Sequence, residues 1–516
     1  MTAGGAEPTE PHGKANGRKP CGRGGEESDE GGVPTNPPKA AAEGREGRPE
    51  AEGNLCQPTM VGAQNPTEVS SGLARVRAAA ERDGEKRFTS LMHHITPGLL
   101  TEAYQALKRD AAPGVDGVTW HAYGETLRTS IRDLHARVHS GTYRAQPSKR
   151  AWIPKPDGRQ RPLGIAALED KIVQMAVVWI LNVIYEPEFA GFSYGFRPGR
   201  GQHDALDALW VGITQQKVNW ILDADIQSFF DTLDHEWLMK FVEHRVADPR
   251  MLRLIRKWLR AGVSEDGEWS KTTVGTPQGA VISPLLANIY LHYVYDLWVK
   301  WWRSHKATGD VIVVRYADDT VVGFQHRADA EAFLQDLRER LAKYGLTLHP
   351  DKTRLIEFGR FASANRKKHG EGAPETFNFL GFRHRCGARR SDGGFTVVRE
   401  TIGKRLTAKV VDICRRLISQ RHWPIPQIGK WLRAAVSGYY RYFAVPGNSQ
   451  SLWLFRYLVG KGWHRALCRR SQRAYVPWPR MARLIDRWLP RPKILHPYPN
   501  QRLQWRARPD VGAVCG

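Results

Sequence analysis

Along residues 99–383 the apolar positions follow two different periods. Residues 99–110 (LLTEAYQALKRD) and 122–139 repeat apolar side chains at helical spacing, with Gly114 and the Asp116-Gly117 pair marking a turn between them. Residues 168–186 (LEDKIVQMAVVWILNVIYE) are apolar nearly all round, which predicts a buried helix. Short apolar runs at 219–224, 311–315, 320–324, 354–358 and 377–383 predict strands. Residues 328–344 predict an amphipathic helix, started by Asp329 and stopped by Gly345. Further helices are predicted at 403–420, 427–443 and 451–472, each mixing Arg and Lys with Trp, Tyr and Leu. No internal repeat is visible. Strands and helices in this irregular order predict an α+β domain rather than a regular βαβ array.

Composition then divides the chain. At 516 residues it is too long for one compact core. Residues 1–60 hold 12 Gly, 8 Pro and a net charge of −3, and the first aromatic of the chain is Phe88, so residues 1–84 are expected to form a disordered leader. The whole chain carries +24, and residues 401–510 alone carry 23 Lys/Arg against Asp412, Asp486 and Asp510. A charge of this size implies a polyanionic partner, nucleic acid first among them. The six Cys are scattered without a C-x-x-C pair, which argues against zinc ribbons and disulfide-stapled folds. No run approaches the 18 apolar residues of a membrane span and no signal peptide is visible, so the expected setting is cytoplasmic, with no membrane partner.

The chemistry concentrates at two acidic strand ends. In VIVVRYADDTVVGF (311–324) two predicted strands flank Asp318 and Asp319, a hairpin with carboxylates at its tip. In NWILDADIQSFFD (219–231) an apolar run ends at Asp223 and Asp225. If the strands are neighbours, Asp225 and Asp318 meet at one sheet edge. Crowded carboxylates are unfavourable unless a cation neutralises them. Mg2+ suits such hard oxygens and leaves positions for substrate phosphates, while a basic side chain in a plain ion pair fits this fragment equally well. Two further segments bear on the choice. IPKPDGRQRPLGI (153–165) is a basic turn whose Lys155 and Arg161 suit a triphosphate. VGTPQGAVISPLLAN (274–288) combines a Pro277-Gln278-Gly279 turn with Ser283-Pro284 at the start of a helix.

Taken in order, these blocks resemble the polymerase signature of reverse transcriptases, specifically those encoded by group II introns. GVDGVT (114–119), IPKPDGRQRPLGI, DKIVQ (170–174), SYGFRPGRGQHDAL (193–206), DADIQSFFD, TPQGAVISPLLAN, YADD, GLTLHPDKT (345–353) and FNFLGF (377–382) follow the family's order. The resemblance implies a right-hand polymerase: fingers and palm with an antiparallel sheet over 85–400, a helical thumb or maturase domain over 401–475, and a short basic tail over 476–516. Many members end in a His-Asn-His endonuclease with paired cysteines. The absence of such a pair makes this chain similar to the bacterial members without it.

The resemblance also implies roles. Asp225 and Asp318, with Asp319 completing the cluster, would be catalytic and hold two Mg2+ ions; the family's position is the Asp directly before Ile226, not Asp223. Phe230 would exclude a 2′-OH, Lys155 and Arg161 would hold the incoming deoxynucleoside triphosphate, Gln278 would line its pocket, and Lys352 would protonate pyrophosphate. FLGF (379–382) would lie at the primer grip. Implied partners are the intron RNA, an RNA template with a DNA primer, and target DNA for target-primed reverse transcription, which would put the protein at the nucleoid when bound to DNA. The alternatives are an RNA-binding maturase that only assists splicing, and a free-standing, domesticated reverse transcriptase. Most of the seven Trp in 401–510 are expected in a helix-bundle core.

Overall fold

In the computed structural model of the chain the described residues are 71–502, apart from 155–159, 266–267, 271–274, 276–278 and 390. Its strands, in chain order, are β1 (Ser148–Pro154), β2 (Gln160–Ile165), β3 (Trp220–Asp225), β4 (Val263–Glu265), β5 (Glu268–Ser270) and β6 (Val311–Tyr316). These are followed by β7 (Asp319–Phe324), β8 (Arg354–Glu357), β9 (Phe377–Phe379), β10 (Phe382–Ala388) and β11 (Phe395–Thr401). Among the described residues three sheets result, with orders β6-β7-β3-β8, β2-β1-β4-β5 and β11-β10-β9, so the α+β class holds.

The first of these is fully antiparallel and sits between two helices. Successive residues of β7 enter different cores. Val321 packs with Leu206, Leu209 and Ile213 of helix Gln202–Gln215, whereas Val322 packs with Phe333, Leu337 and Leu341 of helix Arg327–Ala342. A sheet buried on both faces needs apolar residues at every position, which is why β6 and β7 read as continuous runs rather than alternations. Helix Leu168–Tyr185 lies in the same large core with 16 of its 18 residues buried. Its polar exceptions are paired: Asp170 accepts from the Tyr143 hydroxyl and Gln146 N–H, and Gln174 accepts from Val281 N–H.

Several expectations need adjusting. The helix expected over 122–139 is two helices, Trp120–Glu125 and Leu127–Ser140, because Thr126 leaves helical geometry at ψ 21° beside the weak helix former Gly124. Asp329 does not start its helix. It is buried in the first turn, where its carboxylate accepts from the backbone N–H groups of Thr308 and Gly309. The run at 377–383 is two strands, β9 and β10, joined by Leu380 (φ 46°) and Gly381 (φ 88°), whose left-handed pair makes a tight turn. Within the expected leader, Ser71–Arg82 is a helix that buries Leu73 and Ala80 in the main core. Its short, Ala-rich apolar stripe carries no aromatic to reveal it. Residues 1–70 lie outside the described residues.

The C-terminal helices Gly403–Ser419, Ile425–Phe443, Ser449–Cys468 and Trp478–Trp488 share one core of their own. That core runs across the boundary expected at residue 475, since Met481 and Leu489 are fully buried in it. Among the described Trp of this region only Trp463 is fully buried; Trp431 and Trp488 are half-buried, and Trp423, Trp453 and Trp478 are exposed. Trp463, Trp431 and Trp488 thus lie in or against that core, the other three described ones face outward, and Trp505 lies outside the described residues.

Candidate active site

The central sheet brings the three acids to one end. β3 terminates at Asp225 and β7 begins at Asp319, and the two residues are directly paired. Ala317 and Asp318 form the two-residue turn that joins β6 to β7, with Tyr316 opposite Asp319. Ala317 adopts φ 57°, as a tight hairpin requires at its first central position. The neighbour of β3 is thus the second arm of the hairpin, so the partner across from Asp225 is Asp319, and Asp318 stands beside it in the turn.

Segment 345–353 closes this end of the sheet. Leu348 bridges Ile226, His349 N–H donates to the Asp225 carbonyl at 2.8 Å, and Lys352 Nζ donates to Asp225 Oδ2 at 2.5 Å. Arg354 stands 4.0 Å from Asp223. The protein around Asp319, and then the charges of Asp318, Asp225 and Asp223, push its carboxyl up to about 7 against the pull of Lys352. Because that side chain also opens to solvent, crowding by like charges is the sturdier part of the cause. Burial, with a contribution from Asp225, raises Asp223 to about 6 even though Arg354 opposes it. This end of the sheet therefore holds more negative charge than its own lysine offsets.

Among the described residues no three His, Cys, Asp or Glu side chains converge as a finished metal cage. Mg2+ does not require one, because one or two carboxylates hold it while substrate phosphates and water complete the shell. An all-oxygen donor set with uncompensated charge fits that ion.

Phe230 lies in the short helix Phe229–Thr232, five residues beyond Asp225, with its ring against Phe229 at 5.4 Å. Gly275 packs beneath it: a Cβ there would meet the carbonyl oxygens of Phe230 and Asp231 at 2.8 Å, so only glycine lets the two backbones approach. Arg161 belongs to β2 opposite Ile153, with nothing described of its side chain. Lys155 and Gln278 lie outside the described residues.

A polar layer built on residues to which the motifs assign no role lies under the hairpin. Segment 192–195 runs beside β6, with Tyr194 N–H donating to the Arg315 carbonyl at 2.8 Å and Arg315 N–H to the Phe192 carbonyl at 2.9 Å. At Gly195 a Cβ would sit 2.2 Å from Ala317 N, which explains a glycine in SYGFRPGRG. The Arg315 side chain is buried and forks onto Asp296 through Nε–Oδ1 (2.7 Å) and Nη2–Oδ2 (2.6 Å). The available signal was an arginine inside an otherwise apolar strand, VIVVRY.

The C-terminal helices offer a different surface. Trp453, Tyr457, Lys461 and Arg465 recur every four residues along one exposed face of helix Ser449–Cys468. Trp478 stacks on His464 at 4.3 Å while remaining half-exposed. The chain then returns to the helix over the central sheet, where Arg502 pairs with Asp204 and lies 3.4 Å from Asp207. Among the described residues no helix is long and apolar enough to cross a membrane.

Comparison with known proteins agrees with this picture. Residues 153–384 match the family described as "Reverse transcriptase (RNA-dependent DNA polymerase)". Protein YkfC of Escherichia coli is 34% identical over 335 residues, covering 57% of this chain and 87% of that protein. The "Group II intron-encoded protein LtrA" of Lactococcus lactis is 36% identical over 222 residues, 43% of this chain and 37% of the relative. The "Putative COX1/OXI3 intron 1 protein" of Saccharomyces cerevisiae is 27% identical over 322 residues, 53% and 38% of the respective lengths. The chain thus spans most of one relative and little more than a third of the two intron-encoded ones. On these matches and the ordered motifs, the chain belongs to the group II intron reverse transcriptase/maturase family.

Proposed function

We propose that this protein is an RNA-directed DNA polymerase that also binds its intron RNA to assist splicing, and that it supports intron mobility by copying RNA from a primer at target DNA. The observation that supports the polymerase reading best is Asp225 directly paired with Asp319, with Asp318 in the adjoining turn. In this reading residues 85–400 are fingers and palm. The thumb begins near 401 and includes helix Trp478–Trp488, whose side chains share its core.

Asp225 and Asp318, with Asp319 beside them, would hold two Mg2+ ions. When bound, these would supply charge neutralisation at the triphosphate and activation of the primer hydroxyl. The reaction joins the primer 3′-oxygen to the α-phosphorus and breaks the bond to pyrophosphate. Phe230 would close the pocket beside the sugar and exclude a 2′-OH. Lys155 and Arg161 would clamp the triphosphate from the β1–β2 hairpin, and Gln278 would line the pocket on the template side. Lys352, which holds Asp225 at 2.5 Å, would turn from that carboxylate and give its proton to pyrophosphate. The intron RNA would perform the splicing chemistry itself. The exposed Trp453, Tyr457, Lys461 and Arg465 suit RNA, whose phosphates and unstacked bases need basic and aromatic partners.

Primer extension on an RNA template tests the reading. Asp318→Ala should remove several kcal/mol of barrier stabilisation, about a thousandfold in rate, and leave intron-RNA affinity intact. Unimpaired extension would overturn the catalytic assignment. A wild-type protein that binds intron RNA but extends no primer would favour the splicing-only reading.

A further inference from the structure

We infer that Arg315, Asp296 and Asn288 are positioning residues for the Ala317–Asp318 turn: together they fix the peptide that aims the catalytic carboxylates, without touching substrate. The inference rests on the polymerase reading of the same site.

The contacts form a closed circuit. Arg315 Nε and Nη2 donate to both oxygens of Asp296, while Nη1 donates to Asn288 Oδ1 at 3.2 Å and to the Ala317 carbonyl at 3.0 Å. Asn288 Nδ2 donates in turn to the Gly195 carbonyl at 2.8 Å, and Gly195 packs against the Ala317 backbone. Holding the Ala317 carbonyl sets the plane of the Ala317–Asp318 peptide, and with it the direction from which the Asp318 side chain leaves the turn. Ala317 needs such a restraint, since a left-handed conformation at a residue with a Cβ is unfavourable unless its surroundings over-determine it.

Helix geometry points the same way. Asn288 and Asp296 are eight residues apart on one long helical segment, which in a regular α-helix leaves them about 80° apart around the axis. Residues His292–Asp296 instead form a π-helical turn. The extra residue in that turn reduces the offset to about 20°, so both side chains reach one guanidinium. A π-turn is less stable than continuous α-helix and recurs at functional sites. Arg315 and Asp296 are also essentially inaccessible to water. A buried ion pair is a poor stabiliser compared with apolar side chains of similar volume, because both charges must be desolvated. What apolar replacements would lack is the planar fork that fixes a carbonyl in place.

The full-length chain tests this with three variants, the pair replacement Arg315→Met/Asp296→Leu and the single changes Asn288→Ala and Arg315→Lys. Three quantities are read: single-nucleotide incorporation, Mn2+ binding by electron paramagnetic resonance without nucleic acid or nucleotide, and thermal melting. The pair replacement should melt near wild type, yet show about 10- to 100-fold lower kcat and weaker Mn2+ binding with little change in KM for the nucleotide. Arg315→Lys should also lose kcat, because a point charge cannot span Asp296, Asn288 and the Ala317 carbonyl. Normal kcat and normal Mn2+ binding in a well-folded pair replacement would overturn the inference. If that variant does not fold, Asn288→Ala decides alone: loss of kcat and Mn2+ affinity supports the unit, and wild-type values overturn it. Wild-type protein that incorporates no nucleotide would instead sink the polymerase reading, and Mn2+ binding would still report on the unit.

Discussion

The central sheet and the C-terminal helices use the same side chains for opposite purposes. Around the sheet three arginines are buried and paired: Arg197 with Glu186, Arg315 with Asp296 and Arg399 with Asp207. On the C-terminal helices 23 bases face only three acids over residues 401–510, and Lys461 and Arg465 stand exposed beside Trp453 and Tyr457. A buried, forked arginine has one geometry and serves as a strut. An exposed one keeps its rotamers and its solvation, and contributes mainly to attraction of a polyanion. Residue type alone therefore says little; burial decides whether charge aims a site or gathers a ligand.

The largest separation between the two regions should come from the carboxylates. Asp225→Asn is expected to reduce primer extension by about a thousandfold, with intron-RNA affinity within about twofold of wild type, as measured by filter binding. Extension that survives, or RNA binding that fails with it, would merge the two regions into one functional unit. Next come the tryptophans of the helical region. Trp463→Ala should destabilise that core by about 3–5 kcal/mol in denaturant unfolding, since the ring is fully buried. Trp453→Ala should leave stability within about 0.5 kcal/mol and weaken RNA binding by about 1–3 kcal/mol. An equal stability loss in both variants would contradict the division between core and surface.

Acid should act on the sheet side. Burial, then the neighbouring His496, Arg502 and Arg399, hold His203 down to about 2; burial, then Arg399, holds His384 at about 3. The unfolded chain protonates these rings near pH 6.5 and the folded chain does not, so stability is complete above that pH and is lost as pH falls below it. At pH 5 each contributes about 2 kcal/mol of destabilisation. His384→Leu should flatten the fall in melting temperature between pH 7 and 5, and an unchanged slope would reject the account. The smallest effect is on salt dependence. Lys461→Ala/Arg465→Ala should lower the slope of log affinity against log salt by about 1 to 2. No change in slope would remove this face from the RNA contact.

Much of this architecture was legible because burial on both faces of a sheet leaves unbroken apolar runs, as at 311–315 and 320–324, and a helix buried all round leaves one at 168–186. The acids were legible because they terminate those runs. What escaped notice depended on long-range pairing. Nothing local says that β3 lies beside β7 rather than β6, so the register that sets Asp225 against Asp319 could not be read. Asp329 looked like a helix cap because acids near helix starts usually are caps, yet its partners are backbone groups some twenty residues earlier. The π-turn at His292–Asp296 has no compositional mark at all.

Arg502 has a consequence for the order in which the molecule is completed. Its guanidinium reaches Asp204 across 298 positions of chain. At roughly 5–20 residues per second of synthesis, about 15 to 60 s separate the appearance of the acid from that of its base. During that interval the helix over the central sheet must stand without this counter-charge, whose residue is still inside the ribosome.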